Sequence, residues 1–430
     1  MDFSPNSSNE HSMSVEWVSS LSGTQPRWAT EPSLTGIEEL VRRRLQISSE
    51  AYKVSFFAEG GFNKLYQIKT TSLEYLVRIA LPVDYRWKTL SEVATLDFVR
   101  RHGTELVPKV FEFDVDISSP ENIIGFEWII MEKLPGVSLE ERWQELTWDA
   151  KEGLIKTIVS ILAKLFDHPL STIGNIYPQP NTTPTSNTPT VGRIVSMVFF
   201  WNKHATQDVN RGPFRSSHDW LVARLAFVLA DAAETLQTSE DEDDQEEAVE
   251  SQQLASRLLR LLPSLFPPHP DIPEQTIICH DDLSFHNLLV DGSGKLTGIV
   301  DWECVSALPL WKACQLPAFL QGSDRTDRPD PASYSLDKET GLPGQLFYEH
   351  VREWEKSRLR EVFLEEMERV RPAWVKEYRA GQKYADFDLA VQCCDDEFAR
   401  KSAKRWVDYM EQQCGETDSR YVSLRSQLLE

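Results

Sequence analysis

The chain has 430 residues, 41% of them hydrophobic, with 13 Trp and 20 Phe, and a formal net charge of −22 at pH 7. That length exceeds one ordinary domain and the apolar content suffices for a sizeable core, so global disorder is excluded and two lobes are expected. The acidic balance disfavours nucleic acid and anionic membranes as partners and is compatible with a cationic small molecule. The six cysteines show no metal-ligand spacing and read as reduced thiols of a cytoplasmic protein. Met1 is followed by no basic region with an apolar core, and no apolar run reaches membrane-spanning length. The sequence leaves the oligomeric state open.

Residues 1–33 are rich in Ser, Asn and Pro and are expected to form a disordered tail. Thr35-x-x-Glu38, beside Ile37, Leu40, Val41 and Leu45, reads as a capping box opening a helix. Val54–Phe57, Leu65–Lys69 and Tyr75–Ala80 read as successive strands. The turn between the first two contains Gly60-Gly61. Paired glycines let a backbone approach phosphates closely, and equally make a plain hairpin turn. Arg78 interrupts an apolar run, so its stem should be buried and its head needs a partner. Glu92 precedes the helical pattern of Val93, Leu96 and Val99. Trp128–Met131 is a fourth strand, running into Glu132-Lys133-Leu134-Pro135-Gly136.

Beyond it, Leu154, Ile158, Ile161, Leu162 and Leu165 share one helical face. Tyr177–Thr190 is Pro/Thr/Asn-rich and should be a loop, and Trp220–Leu229 an apolar helix. Ser239–Glu247 is a like-charge block, read as the centre of a disordered insertion near 237–250. Helices carrying Trp354, Leu359, Phe363 and Met367, and later Phe398, Trp406 and Tyr409, finish the chain.

The most informative stretch is Ile277–Val290 followed by Leu296–Glu303: apolar strand, polar loop, apolar strand, glycine turn, third strand, acidic end. This order brings Asp282, Asn287 and Asp301 together. A carboxylate aimed at a substrate hydroxyl, with an amide and a second carboxylate holding Mg²⁺ on ATP, is the construction of kinase-type phosphoryl transfer. Hard oxygen ligands suit Mg²⁺, which keeps waters and phosphate oxygens as its other ligands. The bland alternative is a β-hairpin with a polar loop.

His280-x-Asp282-Leu283-x-x-x-Asn287-Leu288-Leu289-Val290-Asp291 and Gly298-Ile299-Val300-Asp301-Trp302-Glu303 resemble the aminoglycoside phosphotransferase and choline kinase family, in its fungal form. The resemblance implies an α+β, bilobal protein-kinase-like fold. Its N-lobe, residues 34–133, would be an antiparallel sheet with a helix; its C-lobe, 134–430, mostly helical. It also implies that Asp282 is the catalytic base, that His280 braces the loop, and that Asn287 and Asp301 hold Mg²⁺. Arg78 would contact the ATP phosphates and Glu92 would orient it, although a structural salt bridge between them is the alternative. The main chain near Met131 and Lys133 would meet adenine, and Gly60-Gly61 the phosphates. Asp281 stands where the family has Gly and adds a charge beside the base. No Phe-Gly follows Asp301 and no Ala-Pro-Glu signature appears later, which points away from protein substrates.

The expected activity is therefore transfer of the γ-phosphoryl group of ATP to a hydroxyl of a small molecule, one bearing an amine. Glu303, Asp395, Asp396 and Glu397 are candidate carboxylates near the acceptor. The alternative is a catalytically silent kinase-like protein that binds nucleotide or a partner.

Overall fold

A computed structural model describes residues 15–20, 23–47, 52–71, 73–179, 189–268, 273–337, 340–413, 421 and 423–429. Two-residue alternation builds the N-terminal lobe. Five antiparallel strands pair in the order Tyr52–Glu59, Asn63–Thr70, Glu74–Ala80, Glu127–Glu132, Val110–Asp114. Ile37, Leu40 and Val41 of the helix Leu34–Leu45 pack on one face, against Val54, Ile68, Val77 and Trp128. The opposite face presents Leu65, Leu76, Ile129 and Met131 to Val93 of the helix Trp87–His102. Arg78 is two residues from Leu76 and so shares this second face. It lies opposite Ile129 in the sheet register.

The C-terminal lobe is mostly helical. Trp148–Phe166 and Gln345–Val370 enclose one core with the strands Leu288–Val290 and Leu296–Ile299, through Leu154, Ile158, Leu288, Ile299 and Phe363. Ser217–Thr238, Glu242–Leu265, Pro372–Gln392 and Glu397–Gln413 build a second around Leu225, Leu258, Phe387 and Trp406. The hairpin Leu288–Val290 with Leu296–Ile299 gains a third strand from Val137–Ser138, which follows directly on the linker between lobes. Gly136 in that linker has φ +106, and a Cβ there would lie 2.7 Å from the carbonyl oxygen of Val290. Only glycine lets the linker press so closely on the hairpin.

Three expectations are corrected. Part of the supposed tail is a hairpin, Val15–Ser20 with Gly23–Trp28. Its Trp17 and Trp28 rings pack edge-on to Trp201 and Phe126, each at 5.3 Å between centroids. Two anchoring indoles outweigh the polar composition; residues 1–14 lie outside the described residues. The cap of the first long helix is Ser33, whose Oγ accepts from Gly36 N at 3.3 Å, two residues before the expected Thr35. The acidic block is not a loose insertion. It opens the 24-residue helix Glu242–Leu265, with Asp241 as N-cap accepting from Asp243 N at 2.9 Å. Carboxylates that repel one another in a coil are favoured at a helix N-terminus, and the apolar anchors Ala248, Leu254 and Leu258 follow immediately.

All five described cysteines are unpaired. Among the described residues no helix is long and apolar enough to cross a membrane.

Candidate active site

The strand Thr276–Cys279 delivers His280 into the interior, beneath the loop that carries Asp282. Burial pulls the His280 pKa below its ordinary value and keeps the ring neutral. Its Nε2 is 3.1 Å from the carbonyl oxygen of Val300, so Nε2 carries the proton and donates it. The ring also meets the Trp302 indole edge-on at 4.8 Å, and Trp302 Nε1 donates to Ile299 O at 2.9 Å. These contacts bracket Asp301, which has φ +64, a left-handed conformation costly for a residue with a Cβ. Such backbone persists where its surroundings over-determine it, and here both neighbours are pinned.

Asn287 ties the loop together. Its Nδ2 donates to Asp282 O and Asp282 Oδ2, both at 2.9 Å, while its own carbonyl accepts from Val300 N at 2.9 Å. Asp282 is exposed, and its Oδ1 has no hydrogen-bond partner among the described residues. With the Asn287 nitrogen committed, its remaining donor is the amide oxygen. Asp301 has no hydrogen bond or ion pair among the described residues. Loss of hydration in the cleft, then the nearby Glu303 charge, push its pKa up, with Arg78 opposing. A carboxylate raised in this way gains from a cation. One carboxylate and one amide oxygen are the hard, incomplete set that Mg²⁺ takes when phosphates and waters complete its shell.

Above this loop Arg78 is almost fully buried, and its partner is found: Nη1 is paired with Glu92, while Nη2 reaches Glu303 at 2.5 Å. Lys88 donates to the same Glu303 oxygen at 2.6 Å and to Asn63 Oδ1 at 3.1 Å. Asn63 Nδ2 donates to Glu303 at 2.9 Å. Burial opposes ionisation of Glu303, but Lys88 and Arg78 outweigh it and hold the carboxyl down to about 2. Glu303, expected near the acceptor, is instead turned inward under the sheet.

Gly60 and Gly61 form the turn before Asn63, and Gly60 N donates to Asn63 O at 2.9 Å. Neither glycine has positive φ, and a Cβ on either would meet open space. Met131 is buried between the sheet and Val93, and the Lys133 ammonium is taken by Glu74 at 2.7 Å. Their side chains are thus committed, and the Met131 main chain lies in the sheet between Leu76 and Val110.

A profile of the phosphotransferase enzyme family matches residues 53–311, from the first strand of the sheet to just past the acidic end of the catalytic segment. The chain belongs to this family. A subtelomeric hrmA-associated cluster protein of Aspergillus fumigatus is 27% identical over 310 residues, 62% of this chain and 60% of that protein. The altered inheritance of mitochondria protein 9, mitochondrial, of Eremothecium gossypii is 25% identical over 306 residues, covering 61% of this chain and 49% of that protein. The chain thus spans only about half to three-fifths of the length of these curated relatives. Among solved structures, ADP-bound aminoglycoside phosphotransferase APH(2'')-Ib aligns over 89% of this chain and 97% of its own, with a TM-score of 0.46 and 12% identity.

Sequence reasoning missed Lys88 and Asn63. Lys88 stands four residues before Glu92, on the same face of one helix, and is 2% exposed. Two charges on a buried helical face were the available signal. Asn63 carried none, because a polar residue after Gly-Gly-Phe looks like the end of any turn.

Proposed function

We propose that this chain transfers the γ-phosphoryl group of MgATP to a hydroxyl of a small molecule. The observation that carries the reading is the Asp282–Asn287–Asp301 arrangement. A base candidate with a free oxygen and a two-oxygen cation site are held on two loops joined by the bond from Val300 N to Asn287 O, on the side of the Arg78–Glu92 pair.

Asp282 accepts the proton of the acceptor hydroxyl as its oxygen bonds to the γ-phosphorus. The bond from that phosphorus to the β–γ bridging oxygen breaks, and ADP leaves. The Asn287 bond fixes one Asp282 oxygen, so the other points at the acceptor. Arg78, oriented by Glu92, supplies positive charge to the phosphates, with the Gly60-Gly61 turn above them and the main chain of Met131–Lys133 against adenine. His280 acts at one remove: it holds Val300, and so places Asp301. Bound Mg²⁺ would neutralise phosphate charge and align the triphosphate, with Asn287 and Asp301 as its protein ligands. The reading includes a cytoplasmic location, in keeping with unpaired thiols.

The test is an ADP-release and γ-phosphate-transfer assay of the full chain with Mg²⁺ across a panel of hydroxylated acceptors. Transfer to a small molecule that is lost in Asp282→Asn supports the reading. Binding of MgATP with no transfer to any acceptor would favour a silent kinase-like protein instead.

A further inference from the structure

Beside the catalytic loop opens a cavity of about 890 Å³, lined at one end by Asp281 and Cys304, the neighbours of Asp282 and Glu303. That is the size of a pocket that encloses a drug-sized molecule, far more than a choline-sized one needs. Its far wall comes from the helices Ser217–Thr238 and Glu242–Leu265 and the turn before Glu397–Gln413. The acidic block therefore builds the wall of this cavity, through Asp244 and Glu247.

The charges lining the cavity are largely spent. Asp231 is held by His204 at 2.6 Å, Gln207 at 2.9 Å and Lys203 at 3.5 Å. Arg224 and Lys312 both pair with Asp388, Lys312 at 2.6 Å. Arg400 is answered by Glu250 at 3.2 Å and Glu247 at 3.9 Å. Asp244 accepts from Ser239 Oγ at 2.8 Å. Away from the catalytic loop, Asp395 is the lining carboxylate with no partner from another side chain among the described residues. The lining also carries an apolar and aromatic set, Met197, Val198, Trp201, Phe227 and Leu308, beside neutral polar groups such as Ser196 and Ser306. A polycation would bring several ammonium groups to two open carboxylates, Asp281 and Asp395, beside three cations that are already paired, and desolvated charges without partners are costly.

We infer that this cavity is the acceptor site and that it takes an amphipathic alcohol: a drug-sized apolar body, a single protonated amine paired with Asp395, and a hydroxyl presented at Asp282. This rests on the phosphotransferase reading above. The amine preference expected from the sequence is thereby narrowed to one cationic centre, and Asp395 separates from Asp396, which instead caps its helix by accepting from Ala399 N at 2.8 Å.

The experiment uses the full chain and a graded series of N-alkyl and N-arylalkyl ethanolamines. Ethanolamine, a tetra-amino aminoglycoside and neutral alcohols of matched size serve as comparators. Binding is measured by calorimetry and phosphorylation by transfer from γ-labelled ATP. Affinity should rise roughly threefold to fourfold per buried methylene until the cavity is full. Asp395→Asn should cut amine affinity about tenfold or more and leave neutral isosteres unchanged, with Asp395→Glu restoring part of it. Trp201→Ala should weaken the long members and spare ethanolamine. If the amphiphiles bind with these dependences and no phosphate moves to anything, the site stands and the phosphotransferase reading falls. If the aminoglycoside is phosphorylated in preference, or if the amphiphiles fail to bind, or if Asp395→Asn leaves the amine preference intact, the inference is overturned and the phosphotransferase reading is judged by its own assay.

Discussion

Lys88 donates to Glu303 at 2.6 Å, and that one bond joins the helix behind the N-terminal sheet to the loop carrying Asp301. Glu303 also accepts from Arg78 and Asn63, so a single carboxylate links Arg78, the end of the glycine turn and the loop carrying Asp301. The network is buried, and it is satisfied at Glu303 by three donors. Buried polar groups arranged this way specify one geometry and are unforgiving of a missing member.

Lys88→Met should therefore destabilise the chain by roughly 3–5 kcal/mol, the usual consequence of leaving one half of a buried ion pair. Adding Glu303→Gln should recover a substantial part, because Glu92 and Glu303 then no longer share the single cation Arg78. A double-mutant cycle in urea unfolding measures this coupling. Additive losses would show that Lys88 and Glu303 act independently.

Asp282→Asn should lower transfer about 10²- to 10⁴-fold, the range attributed to general base assistance. MgATP affinity should stay near wild type, since Asp282 is not a nucleotide anchor in this reading. The amide can still accept the Asn287 Nδ2 bond, so the loop is retained. Steady-state transfer together with calorimetric MgATP titration separates the two effects, and unchanged turnover would remove Asp282 as the base.

Asp301→Ala should weaken nucleotide binding mainly in the presence of Mg²⁺. Its carboxylate is unpaired among the described residues and stands where loss of hydration, then the Glu303 charge, raises its pKa, so the variant loses a ligand and a charge together. Titrating ATP with and without Mg²⁺ gives the contrast. An equal metal dependence in variant and wild type would show that Asp301 does not hold the ion.

The catalytic loop was legible in the sequence because its residues are local: His280, Asp282 and Asn287 lie within eight positions, and two flanking strands fix Asp301 relative to them. The sheet was legible because its strands alternate. Arg78 and Glu92 were paired through the family resemblance, and the structure supplies the contact. Contacts between distant segments were not legible. Nothing in the sequence places Lys88 against Glu303 or Asp395 across a cavity from the catalytic loop. The acidic block misled because its composition resembles a disordered segment, whereas its fate depends on apolar residues one turn later and on Arg400, some 150 positions away.

Deleting Ser239–Glu247 should accordingly lower Tm by several degrees and weaken acceptor binding, an outcome opposite to that of trimming a solvated loop. The deletion removes the Asp241 cap, the first turn of its helix, a wall of the cavity and one of the two carboxylates facing Arg400. Differential scanning fluorimetry decides it. An unchanged Tm would mean that the helix starts equally well from Ala248.

Glu127 sets a pH dependence that is independent of the catalytic loop. Its carboxyl is 2% exposed on the strand Glu127–Glu132, and Oε1 accepts from Arg86 N at 2.7 Å. Oε2 accepts no hydrogen bond of good geometry among the described residues, and burial, opposed by Arg86 N and Thr89, pushes the group from 4.5 up to about 7. The folded chain therefore holds a proton there that the unfolded chain releases near the ordinary carboxylate pKa. Between these two values the native state binds more protons, so the stability due to this group is present in full below about 4.5 and is lost as pH rises through about 7. Glu127→Gln keeps the oxygen that accepts from Arg86 and cannot ionise. The variant should match wild type near pH 5 and exceed it at pH 8 by roughly 2–3 kcal/mol, the worth of a shift of this size. Asp84, raised to about 6 by its own burial despite Arg193, adds a slope of the same sign in both proteins, and its charge also helps to raise Glu127. Urea unfolding of the pair at pH 5 and pH 8 measures the difference, and an equal stability gap at both pH values would mean that Glu127 is already ionised in the folded chain.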